Sequence, residues 1–380
     1  MTSITVCSKS AWSPPNRREH AFARQALAHG IEVTFIEPPV DARSVLEVGA
    51  VAFARGARGR VLPGPPAGLT AVTRSAPVPG HRNRVAEVTE AILGRWVLHS
   101  HAADGAPSVT NLPWHWGATA GQARRVFDCA DDWTRLYPEG RRQRMLEQFR
   151  RVADEADEVI VASPDLAHLF PGRQPVHVPN GAEVGDVAER PTPRPDRRTA
   201  VYVGTMSERF DVPTVAQVLR ELPDWSLDIY GPCRYAGLGD QPSGELQTFL
   251  ASFAGRARFH GPIPRSAVAS AIDAADVTLV PNVPHLSVGQ SSMKMFDSAA
   301  RGRPAVVAHG VTSDGDGLPP STVVAATTDE WVTGILGCVE EPAGLAQERI
   351  DWARANTWEH RWPAWSRAVF GAMPGSGPHR

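Results

Sequence analysis

The chain has 380 residues, of which 42% are hydrophobic and 21% are charged, and its formal net charge is −2. This length suits two domains of ordinary size, and the composition excludes a largely disordered protein. A nearly neutral chain also offers no clustered positive charge to a nucleic acid, so we expect no nucleic-acid partner.

Several features indicate where the protein is located. No apolar run reaches the roughly 20 residues that a membrane-spanning helix needs. The N-terminal segment MTSITVCSKSAW lacks the basic start and apolar stretch of a secretory signal. The four cysteines are scattered without metal-ligand spacing and are expected to be buried as small hydrophobic residues. We therefore expect a cytoplasmic protein; peripheral contact with the inner face of the membrane and the oligomeric state are left open.

The first half alternates short β-branched runs with amphipathic stretches, which predicts a parallel sheet wound with helices. A strand at Ser3–Cys7 is followed by a helix through Arg17–His29, which Gly30 ends, and by the strand IEVTFIEPP. Two further strands and one helix are predicted at Ser108–Leu112, Arg125–Cys129 and Arg141–Ala153. Before these elements, residues 41–80 follow the strand IEVTFIEPP and include a Gly, Pro and Arg mixture that is typical of a long surface excursion.

The second half repeats this strand–helix series after residues 183–198, whose prolines and charges are typical of a linker. TAVYVGT, WSLDIYGP, ARFHGPIP, ADVTLVPN and RPAVVAH are its predicted strands. We therefore predict an α/β fold with two Rossmann-like domains facing a cleft, at residues 1–182 and 199–355. The last helix, in residues 356–380, carries a tryptophan stripe and is expected to return to the first domain.

Lysine is rare in this chain. Of the 39 basic residues only Lys9 and Lys294 are lysines, and such a bias is typical of a GC-rich genome. A lysine that is retained despite this bias is expected where a compact ammonium group is needed. The bias therefore points to Lys294 as a candidate functional residue.

Several motifs of the second half occur in a characteristic order. They are PNG before the linker, YVGTMSERFD, ARFHGPIPRSAVASAIDAADVTLVPN, SSMKMFDSAARGRPAVV and ANTWEHRW. Together they resemble the GT-B glycosyltransferases of the bacterial group that elongates polysaccharides and glycosylates lipids. The SSMK stretch looks closest to the glucuronosyltransferase of xanthan synthesis, and YVGTMSERFD with the EPP strand end is similar to teichuronic-acid-type glycosyltransferases. RREHAFARQALAHG and FDCADDW extend a weaker resemblance to the first half.

The resemblance implies transfer of a sugar from a nucleoside-diphosphate sugar to a hydroxyl of a glycan, lipid-linked or natural-product acceptor, without a metal or other cofactor. Because charge grows on the departing diphosphate, its site must offer hydrogen-bond donors and cations. A glycine at a strand end, an arginine and the start of a helix after two serines meet this need. The predicted donor-binding residues are Gly204, Arg209, Pro262, Ile263, Ser291, Ser292, Met293, Lys294 and Asp297.

Within this set, Asp297 lies one helical turn from Lys294 and, by the resemblance, accepts hydrogen bonds from the ribose hydroxyls. Loop 262–264 holds the base in relatives. Many retaining relatives carry two glutamates where this chain has Gly289 and Asp297. The stereochemistry is therefore left open between retention and inversion.

An inverting transfer needs a general base in the first half. Asp131 and Asp132 follow the strand VFDCA, and we prefer Asp132, the alternative being that one of the pair caps the next helix. His20 and His115 are further candidates for the base. The predicted acceptor contacts are Arg17, Arg18 and His115.

Two other functions share this architecture. One is a sugar-nucleotide epimerase, which usually needs several acid–base groups around the sugar. The other is a catalytically silent subunit that binds a nucleotide sugar, which Gly289 in place of a glutamate could indicate. Slow hydrolysis of the donor would distinguish a transferase from such a subunit.

Overall fold

A computed structural model describes residues 2–13, 17–41, 59–76, 83–235, 238–311, 317–342 and 344–371. The chain divides into two compact units, Met1–Pro179 with Arg361–Arg380, and Asn180–His360. The predicted linker at 183–198 lies within the second unit. Residues 42–58 and 77–80 of the predicted surface excursion lie outside the described residues.

The first unit contains a sheet of eight strands in the order β10-β9-β8-β7-β1-β2-β5-β4. All neighbours pair in parallel except β4 and β5. Its strands are β1 Ser3–Cys7, β2 Glu32–Ile36, β3 Val40–Asp41, β4 Arg60–Val61, β5 Leu69–Thr73, β6 Ser75–Ala76, β7 Pro107–Thr110, β8 Arg124–Cys129, β9 Glu158–Val161 and β10 Val176–His177, of which β3 and β6 form a separate pair. The helices are α1 Arg18–Ala28, α2 Arg84–His101 and α3 Glu139–Glu155.

The second unit contains a parallel sheet of six strands in the order β13-β12-β11-β14-β15-β16. Its strands are β11 Thr199–Val203, β12 Ser226–Tyr230, β13 Ala257–Gly261, β14 Val277–Val280, β15 Ala305–Ala308 and β16 Val323–Ala325. The helices are α4 Val212–Glu221, α5 Gly244–Ser252, α6 Arg265–Asp273, α7 Met293–Ala300, α8 Thr328–Val339, α9 Gly344–Ala355 and α10 Trp358–Phe370, the last of which continues into the first unit. The prediction of two Rossmann-like α/β sheets is confirmed.

Local sequence signals explain where many of these elements begin and how they are buried. Every residue of β14 and β15 is buried, as expected for central strands covered on both faces. The side chain of Asn83 accepts the N–H of Ala86 at the start of α2, and Asp211 accepts that of Thr214 at the start of α4. The four cysteines are buried, as predicted.

The tryptophan stripe of α10 is a packing face. Trp358, Trp362 and Trp365 are nearly completely buried, with exposed fractions of 2%, 6% and 2%. Within the first unit the Trp365 ring stacks on Phe22 with centroids 4.5 Å apart, and its Nε1 donates to Asp128 at 3.1 Å. Residues 361–371 are therefore joined to the first unit by apolar contact reinforced by a buried hydrogen bond.

No helix in the described part of the chain is long and apolar enough to cross a membrane.

Candidate functional site

The six-stranded sheet has a topological switch point between β11 and β14, because the chain winds outward from these two strands in opposite directions. Ligands of such sheets bind beyond the carboxyl ends of the strands at this point. The two loops there are joined directly: the N–H of Asp211 donates to the carbonyl of Pro281 at 2.8 Å, and that of Val283 to Arg209 at 2.7 Å. Gly204 and Arg209 follow β11, and Ser291–Lys294 follow β14. The fold thus brings these predicted donor residues to one edge.

Gly204 lies directly under the Lys294 side chain. A Cβ added at Gly204 would overlap Cε of Lys294, and one added at Gly231 would overlap the carbonyl oxygen of Gly204. Gly231 also has φ +138°, which other residues rarely adopt. The two glycines therefore allow β11, β12 and the lysine to approach closely, and they leave backbone uncovered beside the ammonium group.

Two cations approach the buried ring of Tyr202. The Lys294 Nζ lies 5.2 Å from the ring centroid, which is within range for a cation–π contact. Burial raises the pKa of Tyr202, Tyr235 adds to this effect, and the positive charge of Arg209 opposes it. Arg209 is half-buried. A guanidinium and an ammonium group thus act on the same end of β11, where a diphosphate would need them.

The start of α7 completes this arrangement. Ser292 is the N-cap residue, yet its side chain makes no capping hydrogen bond, and its buried Oγ has no hydrogen-bond partner among the residues that the structure describes. The preceding residue is fixed, because the Asn180 side chain donates to the carbonyl oxygen of Ser291 at 2.6 Å. Uncapped N–H groups, a buried hydroxyl and a lysine at one helix start form an anion cradle.

Asn180 itself was not among the predicted site residues. It belongs to the PNG motif before the linker, and that motif is the signal that could have identified it. Its role is to hold the loop that leads into α7.

Asp297 is engaged by a residue that the sequence did not single out. Arg265 donates to both of its carboxylate oxygens, at 3.0 and 2.6 Å, and also pairs with Asp186. Burial lowers the pKa of Arg265, but the contacts with Asp297 and Asp186 outweigh this effect and raise the pKa. Arg265 is the first residue of α6, directly after loop 262–264, where Pro262 is exposed and Ile263 is half-buried. The predicted base loop and ribose carboxylate are therefore adjacent.

A carboxylate has about four lone-pair positions, so Arg265 leaves part of Asp297 able to accept further hydrogen bonds. Gly289 has φ +74°, a conformation that favours glycine. A glutamate at that position would require a different course of the loop between β14 and α7.

Asp132, the preferred catalytic base, has the surroundings of a helix cap. It precedes the 3-10 helix Trp133–Leu136, and its Oδ1 accepts the Thr134 N–H at 2.9 Å. Its Oδ2 accepts Arg135 Nε at 2.8 Å and lies 3.5 Å from His168 Nε2. Burial raises its pKa, but the hydrogen bonds from His168, Thr134 and Arg135 outweigh this and lower the pKa to about 2. A carboxylate so stabilised is a weak base, so the preference for Asp132 does not fit its environment.

We therefore expect Asp132→Ala to destabilise the first unit by about 1–3 kcal/mol, through the lost cap and charge-assisted bonds. The lowered pKa gives the sign of the pH dependence: the stabilisation is complete above the ordinary carboxyl value near 4 and is lost as the pH falls through about 2. Denaturant unfolding of both proteins from pH 7 to pH 3 checks this result. A difference between wild type and variant that grew on acidification would contradict it.

Asp131 has a different environment from its neighbour. Its Oδ2 lies 3.0 Å from Nζ of Lys9, and the side chains are 13% and 12% exposed, against 2% for Asp132. Lys9 follows β1 and Asp131 follows β8, so the pair lies at the carboxyl edge of the eight-stranded sheet. This is the edge at which a ligand of the first unit is expected.

His20 has a structural role at the start of α1. Its Nδ1 accepts the backbone N–H of Arg17 at 3.3 Å, so Nε2 carries the proton and donates to the Ala11 carbonyl at 2.8 Å. The ring stacks on Phe35, and burial lowers its pKa. Both nitrogens are thus occupied, and His20 does not serve as a free base here.

Burial also decides between the predicted acceptor residues. Arg18 is 2% exposed and donates through Nε to both oxygens of Asp128, at 2.8 and 3.0 Å. His115 is 2% exposed, with Nε2 3.6 Å from Glu90, which also pairs with Arg74. The structure therefore places both side chains in the interior of the first unit and not at its surface. Arg17 is exposed and remains in the predicted set.

No three His, Cys, Asp or Glu side chains among the described residues form a group that could hold a metal ion.

Comparison with known proteins identifies the fold. Residues 212–366 match a family model described as glycosyl transferase-like. Sucrose-phosphate synthase from Thermosynechococcus elongatus superposes with a TM-score of 0.76 at 14% identity, over 97% of this chain and 98% of that protein. HepE from Anabaena, in complex with UDP and glucose, gives 0.67 at 14% identity, over 98% and 100%. The fold is that of the GT-B glycosyltransferases.

A third structure extends the comparison. The UDP-forming α,α-trehalose-phosphate synthase from Burkholderia xenovorans, in complex with glucose-6-phosphate, gives a TM-score of 0.70 at 11% identity, over 98% of this chain and 100% of that protein. No curated protein sequence matches the chain. At such identities the superpositions show the fold, and an activity has to be argued from the site.

Proposed function

We propose that the chain is a glycosyltransferase that moves a sugar from a nucleoside-diphosphate sugar to an acceptor hydroxyl. The main support for the proposal is that Gly204, Lys294 and the start of α7 lie together at the switch point of the second sheet. A diphosphate fits this place because it needs backbone N–H groups, hydroxyls and cations within one small volume.

The rest of the donor extends from the diphosphate along the same edge. Asp297, held by Arg265, accepts hydrogen bonds from the ribose hydroxyls, and the base lies against loop 262–264. We take UDP as the first nucleotide to test, since the Anabaena structure contains UDP and the Burkholderia enzyme is described as UDP-forming. These assignments support a donor site within the second unit.

For the transfer itself we propose Asp131 as the base of an inverting reaction. The acceptor oxygen forms a bond to the anomeric carbon as the bond from that carbon to the diphosphate oxygen breaks. The acceptor proton goes to the Asp131 carboxylate, and the diphosphate leaves with the negative charge, which Lys294 and Arg209 stabilise. Lys9 positions Asp131, to which it is bonded at 3.0 Å.

The acceptor is a hydroxyl compound of the glycan, lipid-linked or natural-product classes. The likeness of the SSMK stretch to the xanthan enzyme, and of YVGTMSERFD to teichuronic-acid-type enzymes, supports a glycan or lipid-linked acceptor. Arg17, exposed at the start of α1, is the residue that we assign to an acceptor phosphate.

Titration with UDP, GDP and dTDP, followed by incubation with the sugar nucleotides of the tightest binder, tests the proposal. We expect one diphosphate to bind at least about tenfold more tightly than the others, which corresponds to about 1.4 kcal/mol. We also expect slow release of that diphosphate from its sugar nucleotide without acceptor. Binding without release under any acceptor would favour the silent subunit, and no binding at all would contradict the proposal.

A further inference from the structure

Helix α2 of the first unit carries a continuous row of large apolar side chains that face solvent. Val85, Val88, Ile92 and Trp96 are 75%, 53%, 64% and 47% exposed. Their spacing of three and four residues places them along one side of the helix. The opposite side is buried in the unit through Ala86, Val97 and Leu98 and other residues. Single exposed apolar residues are common, whereas four in a row on one helix mark an interaction surface.

The ionisable side chains on the same side of α2 are all basic. At about 100° per residue, Arg84, Arg95 and His99 fall with the four apolar residues in an arc of roughly 120°. All three are exposed. Glu87 and Glu90, the acidic residues of this helix, fall outside the arc, and Glu90 is fully buried. The exposed side of α2 is therefore apolar and basic.

A pocket of about 680 Å³ opens beside this row and is lined by Ile92, Trp96, Arg95 and His99 among others. Its remaining walls come from Leu93 and from the turn at Ala120–Gln122. An apolar space with a basic rim matches an amphiphile that has an apolar chain and an anionic head. The pocket and the helix row thus favour the same chemistry.

We propose that this face of α2 binds the surface of an anionic phospholipid bilayer. The helix lies in the interface plane, with the four apolar side chains among the upper acyl chains and the arginines against lipid phosphates. A second copy of the chain fits less well, because a two-fold contact through this face would bring the arginines together without acidic partners. The proposal concerns the first unit alone and holds whether or not the chain transfers a sugar.

Co-sedimentation of the full chain with vesicles tests the proposal, with pure phosphatidylcholine compared with phosphatidylcholine containing phosphatidylglycerol. Wild type is expected to bind the anionic vesicles more strongly and to lose binding as salt is raised. The double variant Ile92→Gln/Trp96→Gln should lower the partition coefficient at least about tenfold, since both apolar side chains lose their insertion. Arg84→Gln/Arg95→Gln should remove most of the preference for the anionic lipid.

Leu336→Gln is the matched control. Leu336 is an exposed apolar residue, 44% exposed, but it belongs to α8 of the second unit and not to the proposed surface on α2. This variant should bind vesicles as wild type does, and thermal unfolding should show that all variants are folded. Equal binding of wild type to neutral and anionic vesicles would overturn the proposal, as would wild-type binding by the Ile92/Trp96 variant. A monomer–dimer equilibrium that the same double variant abolishes would assign the surface to a second copy instead.

Discussion

Asp131→Asn is expected to lower kcat by about 10²- to 10⁴-fold, the usual contribution of a general base. The substitution keeps the size and much of the hydrogen bonding of the side chain but removes its basicity. Because Asp131 lies in the first unit and the proposed nucleotide site lies in the second, the affinity for the nucleoside diphosphate should stay within about twofold of wild type. Steady-state kinetics with the donor identified by titration, together with calorimetry, check both parts.

Asp132 provides the internal control for this experiment. The two carboxylates are adjacent, but one is paired with Lys9 at the sheet edge and the other caps a 3-10 helix. Asp132→Ala should therefore lower stability and leave kcat near wild type at temperatures where the variant is folded. If Asp131→Asn retained normal turnover, Asp131 would not be the base, and the inverting reaction assigned to it would be contradicted.

Lys9→Ala separates positioning from catalysis. Its ammonium group contacts the Asp131 carboxylate in the structure, so we infer that it orients the base. Lys9→Ala should then lower kcat while the affinity for the nucleoside diphosphate stays within about twofold of wild type, because the carboxylate is no longer held in one position. A merely structural contact would lower stability without lowering kcat at temperatures where the variant is folded.

Much of the fold follows from local sequence patterns. The runs VTLV and AVVA are continuous and apolar, as parallel strands buried on both faces require, and they form β14 and β15. The common edge of the predicted donor residues also follows, because the strands of a wound α/β sheet run parallel and their carboxyl ends meet at one edge. For this reason the sequence alone places Gly204 and Lys294 at that edge of the second sheet, whereas the strand order that puts β11 beside β14 comes from the structure.

The side-chain partners at the site could not be predicted in this way. Asp297 is held by Arg265, which is 32 residues away in the chain, and no local pattern specifies such a pair. The choice between Asp131 and Asp132 likewise depends on which side chain turns into the cap formed with Thr134 and Arg135. Arg18 and His115 have polar side chains that usually indicate exposure, but an ion pair of Arg18 with Asp128 and a contact of His115 with Glu90 allow both to be buried.

Lys294→Ala is expected to weaken binding of the nucleoside diphosphate by about 1.5–3 kcal/mol, the scale of a hydrogen bond to a charged group. The free nucleoside should bind almost as it does to wild type, because the ammonium group is assigned to the phosphates and not to the base. Gly204→Ala should act in the same direction without removing the lysine, since its Cβ would displace the Lys294 side chain. Lys9→Ala, which removes the only other lysine of the chain, should leave diphosphate binding unchanged.

Calorimetric titration of wild type and Lys294→Ala with the nucleoside diphosphate and with its nucleoside tests whether Lys294 binds the diphosphate. We expect a loss of affinity of about 10- to 150-fold for the diphosphate and almost none for the nucleoside. Equal losses for the two ligands, or unchanged diphosphate binding, would contradict a diphosphate site at the carboxyl ends of β11 and β14.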